Sequence, residues 1–126
     1  MKKILVVDDS PTMRKMVIAS LRNLNDVTVE EAKNGLEAIE SISREPSIAL
    51  MVLDLNMPEM HGLEVLKFVR KIPTLKKLPV IILTTRKDDR GCVEAYAAGA
   101  DRYLVKPFEP QALCAQVKML LKLGWS

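Results

Sequence analysis

The stretch ILVVDDSP, residues 4–11, runs from four consecutive apolar residues through two acids to a helix start. Apolar residues without polar alternation fit a strand covered on both faces. Ser10 followed by Pro11 is an N-cap with proline at the first helical position. Three more apolar runs end in a reactive side chain. IALMVLD (48–54) closes on Asp54, VIILTT (80–85) on Thr84 and Thr85, and RYLVKP (102–107) on Lys106. A parallel sheet brings the C-terminal ends of its strands to one rim, where its ligands bind.

Between these runs the period changes from strand to helix. Met13, Met16, Val17, Ser20, Leu21 and Leu24 recur at helical spacing. Val27–Glu30 alternates like a half-exposed strand. Asn34-Gly35 marks a turn, and Ala38, Ile39 and Ile42 carry a second helix. Met57-Pro58 breaks the chain before a third helix bearing Val65, Leu66, Val69 and Ile72. A fourth strand is expected over 79–83. A fourth helix is expected from about 88 to 98 with Gly99 as its stop, then a short strand at 103–105. Leu113, Val117, Leu120 and Leu121 lie on a last helix ending near Gly124. Five strand–helix units imply an α/β, doubly wound, parallel sheet with helices on both faces. The three apolar strands belong at its centre, with the second and fifth at its edges. The order 2-1-3-4-5 satisfies this, and its switch point lies between the ends bearing Asp8-Asp9 and Asp54.

At 126 residues the chain is the size of one domain, expected to span 1–126. Hydrophobic residues make up 48% and aromatics only 4%, so the core must be aliphatic. The net charge of +3 is too small and too dispersed for a nucleic-acid footprint. Lys67, Arg70, Lys71, Lys76 and Lys77 read as a solvated face. Cys92 and Cys114 form neither a CxxC nor a disulfide framework, and suit reduced thiols in the cytoplasm. The apolar part of MKKILVVDDS is too short for a signal peptide, and no run approaches membrane-spanning length. A cytoplasmic, soluble, monomeric chain without nucleic-acid or membrane contact is expected. The seven methionines read as core filler, with Met57 and Met60 near the rim. His61 reads as a surface residue, and Trp125 as loosely packed.

Three acids in one small space carry a cost. Two unit charges about 5 Å apart repel by roughly 3 kcal/mol at an effective dielectric of about 20. Either one carboxylate holds a proton or a cation neutralises the group. Mg²⁺ suits an all-oxygen set, and the absence of His or Cys beside the acids argues against zinc. Asp54 could also act as a nucleophile and form an aspartyl phosphate. The Lys106 ammonium and the Thr84 hydroxyl would then reach other phosphoryl oxygens. Taken alone, Asp8-Asp9 could simply cap a helix.

VVDDS, LDLNMPEMHG, ILTT and GADRYLVKPF together resemble the motifs of the two-component response-regulator receiver domain. Thirty residues separate Asp54 from Thr84 and twenty-two separate Thr84 from Lys106, which fits that family over nearly the whole chain. The likeness is to stand-alone receivers of the CheY type, with a flavodoxin-like fold. It implies that Asp54 accepts a phosphoryl group from a sensor histidine kinase. Asp9 and Asp54 would ligate Mg²⁺ directly, Asp8 through water, and Asn56 through its backbone carbonyl. Thr84 and Tyr103 would turn inward as switch residues, Lys106 would bind the phosphoryl group, and Lys106-Pro107 would be cis. The fourth helix, fifth strand and fifth helix would form the output surface. Its partner would be a flagellar motor switch protein, a kinase or a phosphotransfer protein. Such a chain catalyses only its own phosphorylation and dephosphorylation and is otherwise no enzyme.

Three positions depart from the family's habit. His61 stands where Asp, a better N-cap, is common, so the third helix is expected to start less firmly. Thr85 stands where Ala or Gly is preferred, and its bulk would narrow access to Asp54. Asn56 and Arg86 occupy the pair of positions that tunes dephosphorylation, and Arg86 is expected to shield the acyl phosphate from water. Two other readings stay open. One is the receiver half of a longer DNA-binding regulator. The other is a Mg²⁺-dependent phosphohydrolase, which the third-strand nucleophile and the lack of room for a cap disfavour.

Overall fold

The apolar runs become the inner strands of one parallel sheet in the computed structural model, which describes residues 2–58, 60–85 and 89–123. Among these residues the strands are β1 (Lys2–Val7), β2 (Val27–Ala32), β3 (Ile48–Leu53), β4 (Val80–Thr84) and β5 (Arg102–Val105). They alternate with α1 (Pro11–Leu21), α2 (Gly35–Arg44), α3 (Gly62–Lys71), α4 (Asp89–Ala97) and α5 (Pro110–Leu121), and a 3₁₀ turn spans Pro73–Leu75. The strand order is β2-β1-β3-β4-β5 and every pairing is parallel. The expected order and both edge strands are therefore observed.

Side chains of the inner strands alternate between two cores, as the two-residue period of a strand requires. Leu5, Val7, Met51, Leu53, Val80 and Ile82 face one side, packed with Ala38 and Ile42 of α2, Val65, Leu66 and Val69 of α3, and Ala95 of α4. Ile4, Val6, Leu50, Val52, Ile81 and Leu83 face the other, against Val17 and Leu21 of α1 and Leu113, Val117 and Leu121 of α5. Each such side chain contributes about 2 kcal/mol by leaving water. These two cores hold the strand ends in fixed register.

Several expectations need correction. β2 runs on to Ala32 because its partners in β1 continue to Val7. β4 starts at Val80 and includes Thr84, which pairs with Val105. Asn34-Gly35 is a helix start and not a free-standing turn: the Asn34 side chain accepts from the Glu37 N–H at 2.8 Å. Gly35 is required there, since a Cβ would lie 2.9 Å from Met60 and Val65 side-chain atoms. As expected, α4 closes before Gly99, whose φ of 109° suits glycine. Arg70 is not a solvated charge. It donates to the Gly99 carbonyl at 2.7 and 3.1 Å and pairs with Asp101 at 3.1 Å, pinning α3 to the start of β5. Met16 and Met119 are about half exposed and do not fill the core. Cys92 and Cys114 are free, as expected, and half-buried. Gly124, Trp125 and Asp88 lie outside the described residues.

Candidate functional site

The register of the sheet assembles the site. Val7 pairs with Leu53, so Asp8 and Asp54, each the next residue, leave neighbouring strands side by side. The Asp54 N–H donates to the Val7 carbonyl at 3.0 Å, and the Asp8 N–H to Ala32 at 3.1 Å. Across the sheet the Lys106 N–H donates to the Thr84 carbonyl at 2.8 Å. The Lys106-Pro107 bond is cis, as the resemblance implied. Ser10 caps α1 by accepting from Met13 at 3.2 Å, with Pro11 behind it, which turns the chain away directly after Asp9.

At the rim, Asp8 and Asp54 are each 4% exposed and Lys106 7%, while Asp9 faces solvent. Lys106 Nζ lies 2.7 Å from Asp8 Oδ2 and 3.6 Å from Asp54 Oδ1. Carboxylate oxygens of Asp8, Asp9 and Asp54 lie within 4.8 Å of one another. Three carboxylates against one ammonium leave two negative charges uncompensated. Burial pushes the Asp54 carboxyl from 3.8 up to about 6; Lys106 and the Asn56 N–H pull it down, and Asp8 and Asp9 push it further up. A buried carboxylate of raised basicity, ionised near neutral pH, is equipped as a nucleophile.

The donor set fits a hard divalent cation. All the ligand atoms are oxygens, and the excess charge matches two positive charges. Both Asp8 oxygens already have partners: Oδ1 takes the Ser10 N–H at 2.9 Å and Oδ2 takes Lys106. Asp54 Oδ1 is engaged as well, by the Asn56 N–H at 3.3 Å and Lys106 at 3.6 Å, and each of the three acids still offers one oxygen to the cluster.

Other expected residues fall as follows. Thr84 is fully buried at the end of β4. Thr85 is exposed beside it, and Tyr103 is half-buried opposite Ile82. Asn56 is exposed at the mouth, with its backbone N–H donating to Asp54 Oδ1 at 3.3 Å. Arg86 lies outside the described residues, as does any contact it makes with the site. His61 is half-buried and caps α3, its Nδ1 accepting from Leu63 at 3.2 Å. The helix therefore starts on a real cap, and His61 is no bare surface residue.

The sequence reading named Asn56 but missed what its side chain touches, and it missed Arg14 and the role of Gly62. The Asn56 carboxamide donates to Thr84 Oγ1 at 3.1 Å and to Thr85 Oγ1 at 3.4 Å. Arg14 donates to the Asp8 carbonyl at 2.7 Å and pairs with Glu31 at 3.0 Å. Its place in the first turn of a helix that begins at the rim was the available signal. Gly62 lets α3 approach the loop after β3: a Cβ there would sit 2.7 Å from Leu55 Cα and would overlap the Asp54 carbonyl.

Against known proteins, the model of the response regulator receiver domain matches residues 4–118. The chain is 40% identical over 119 residues to the chemotaxis protein CheY1 of Helicobacter pylori, covering 94% of this chain and 96% of that one. Among solved structures, Vibrio cholerae chemotaxis protein CheY4 superposes with a TM-score of 0.87 at 36% identity, covering 96% of this chain and 99% of that one. The Mn²⁺-bound response regulator Rcp1 superposes with a TM-score of 0.86 at 26% identity, covering 99% and 98%. With a sheet order, a rim of acids and a family match that agree over almost its full length, the chain belongs to the response regulator receiver domain family.

Proposed function

We propose that this receiver domain is a phosphorylation-dependent switch in which Asp54 accepts a phosphoryl group from a sensor histidine kinase. The convergence of the Asp8 and Asp9 carboxylates and one buried ammonium on Asp54 carries the reading. An Asp54 oxygen attacks phosphorus, the phosphorus–nitrogen bond of the phosphohistidine breaks, and the imidazole takes up a proton. Mg²⁺, when bound, neutralises charge on the phosphoryl oxygens. Asp9 and Asp54 would hold it directly, Asp8 through water, and Asn56 by its backbone carbonyl; a structural relative binds Mn²⁺.

Lys106 would exchange its 2.7 Å contact with Asp8 for a phosphoryl oxygen. Thr84 would turn its hydroxyl to another, and Tyr103 would follow it inward. These contacts exist only in the switched conformer, so phosphorylation shifts the population toward it. The readout surface would be α4, β5 and α5, where Val93, Tyr96 and Met119 are exposed at 66%, 46% and 52%. The relative named for chemotaxis is matched over 96% of its length, which favours a chemotaxis output, with a flagellar motor switch protein as one partner. Among the described residues no helix is long and apolar enough to cross a membrane. Apart from its own phosphorylation and dephosphorylation the chain would turn over no substrate.

Titration with beryllofluoride and Mg²⁺, followed by amide NMR, tests the switch. Shifts should appear in α4, β5 and α5 as well as around Asp54. Shifts confined to the Asp54 pocket would refute it.

A further inference from the structure

We propose that the Thr85 hydroxyl positions the Asn56 carboxamide and thereby lengthens the life of the phosphoryl group on Asp54. The inference rests on Asp54 being the acceptor. Asn56 is tied to the site at two ends: its backbone N–H meets Asp54 Oδ1 at 3.3 Å, and its side-chain nitrogen straddles two consecutive hydroxyls. Those hydroxyls lie at 3.1 Å (Thr84) and 3.4 Å (Thr85). A carboxamide has two N–H donors, so it can serve both. The two acceptors differ in freedom, because Thr84 is fully buried while Thr85 is at the open mouth.

The pairing matters when Thr84 turns. In that conformer Thr84 has carried its oxygen away from Asn56 and donates its hydroxyl to a phosphoryl oxygen, and Thr85 remains the acceptor that keeps the carboxamide along the end of β4. Loss of the phosphoryl group is hydrolysis: water oxygen bonds to phosphorus, the bond from phosphorus to the Asp54 oxygen breaks, and Asp54 returns as carboxylate with inorganic phosphate released. A carboxamide offers a donor and an acceptor, so one swinging free beside phosphorus can orient the attacking water. Thr85 acts on that step only through Asn56, as a positioning residue.

The prediction separates the hydroxyl from the bulk of the side chain. Thr85→Val keeps the shape and removes the hydroxyl; Thr85→Ser keeps the hydroxyl and removes the methyl group. Each chain is loaded with acetyl phosphate and Mg²⁺, and the bound phosphoryl group is followed by intact mass. Thr85→Val should shorten its lifetime about fivefold, the factor one net hydrogen bond supplies. Thr85→Ser should behave as the parent, and Thr85→Val should have no effect in an Asn56→Ala background. A parent-like Thr85→Val, a Thr85→Ser as fast as Thr85→Val, or an effect that survives in Asn56→Ala would overturn the inference. Failure of the parent itself to take up a phosphoryl group would overturn the Asp54 reading first. Uptake with equal lifetimes overturns only the role of Thr85.

Discussion

Asp54→Asn should make the metal-free protein more stable, and only above a certain pH. Burial lifts the Asp54 carboxyl from 3.8 to about 6. A group that is a weaker acid when folded favours the folded state while protonated and penalises it once ionised. Between about pH 4 and pH 6 the folded chain binds more protons than the unfolded one, so this contribution falls as pH rises through that window. Above it the full penalty is present, about 3 kcal/mol at 1.36 kcal/mol per unit. Asparagine removes the charge and still offers an oxygen to the Asn56 N–H. Its buried amide keeps part of the polar cost, so the expected net gain is about 2 kcal/mol near pH 7.5. The assay is urea unfolding with EDTA present, followed by circular dichroism. The gain should shift the midpoint by about 1 M urea near pH 7.5 and vanish near pH 4. A variant less stable than the parent near pH 7.5, or a gain of the same size at both pH values, would refute the reasoning.

Other perturbations follow from the same geometry. His61→Asp replaces an imidazole acceptor with a carboxylate at the α3 start and should stabilise the fold by about 0.5–1 kcal/mol in thermal or urea melts; no gain would mean that the Leu63 N–H is already fully served. Gly62→Ala drives a Cβ into the Leu55 and Asp54 backbone and should cost about 3 kcal/mol, with slower phosphoryl uptake because the loop bearing Asp54 must move. A neutral Gly62→Ala would show that α3 can back away freely.

The inner strands were legible because Ile4–Val7 and Ile48–Leu53 are unbroken apolar runs, a pattern that serves a strand covered on both faces. The rim was legible too, since each run ends in the side chain that the site uses. Hydrogen bonds between residues remote in sequence were not. Asn56 reaches Thr84 across 28 positions and Arg70 reaches Gly99 across 29, and no periodicity encodes such pairs. Asn34-Gly35 misled because the same dipeptide serves a turn or a cap, and here the Asn34 side chain accepts from the Glu37 N–H and starts α2. His61 misled because its Nδ1 is a weaker acceptor than the carboxylate usual there, yet its extended backbone, with φ of −64° and ψ of 145°, places it to cap all the same.

Intact mass after incubation with acetyl phosphate and Mg²⁺ tests the central claim most directly. The parent chain should gain one phosphoryl group, lost again under mild alkali as an acyl phosphate would be. Asp54→Asn should gain none. Equal gain by the variant, or a parent that gains nothing while holding Mg²⁺, would contradict the assignment of Asp54 as the acceptor.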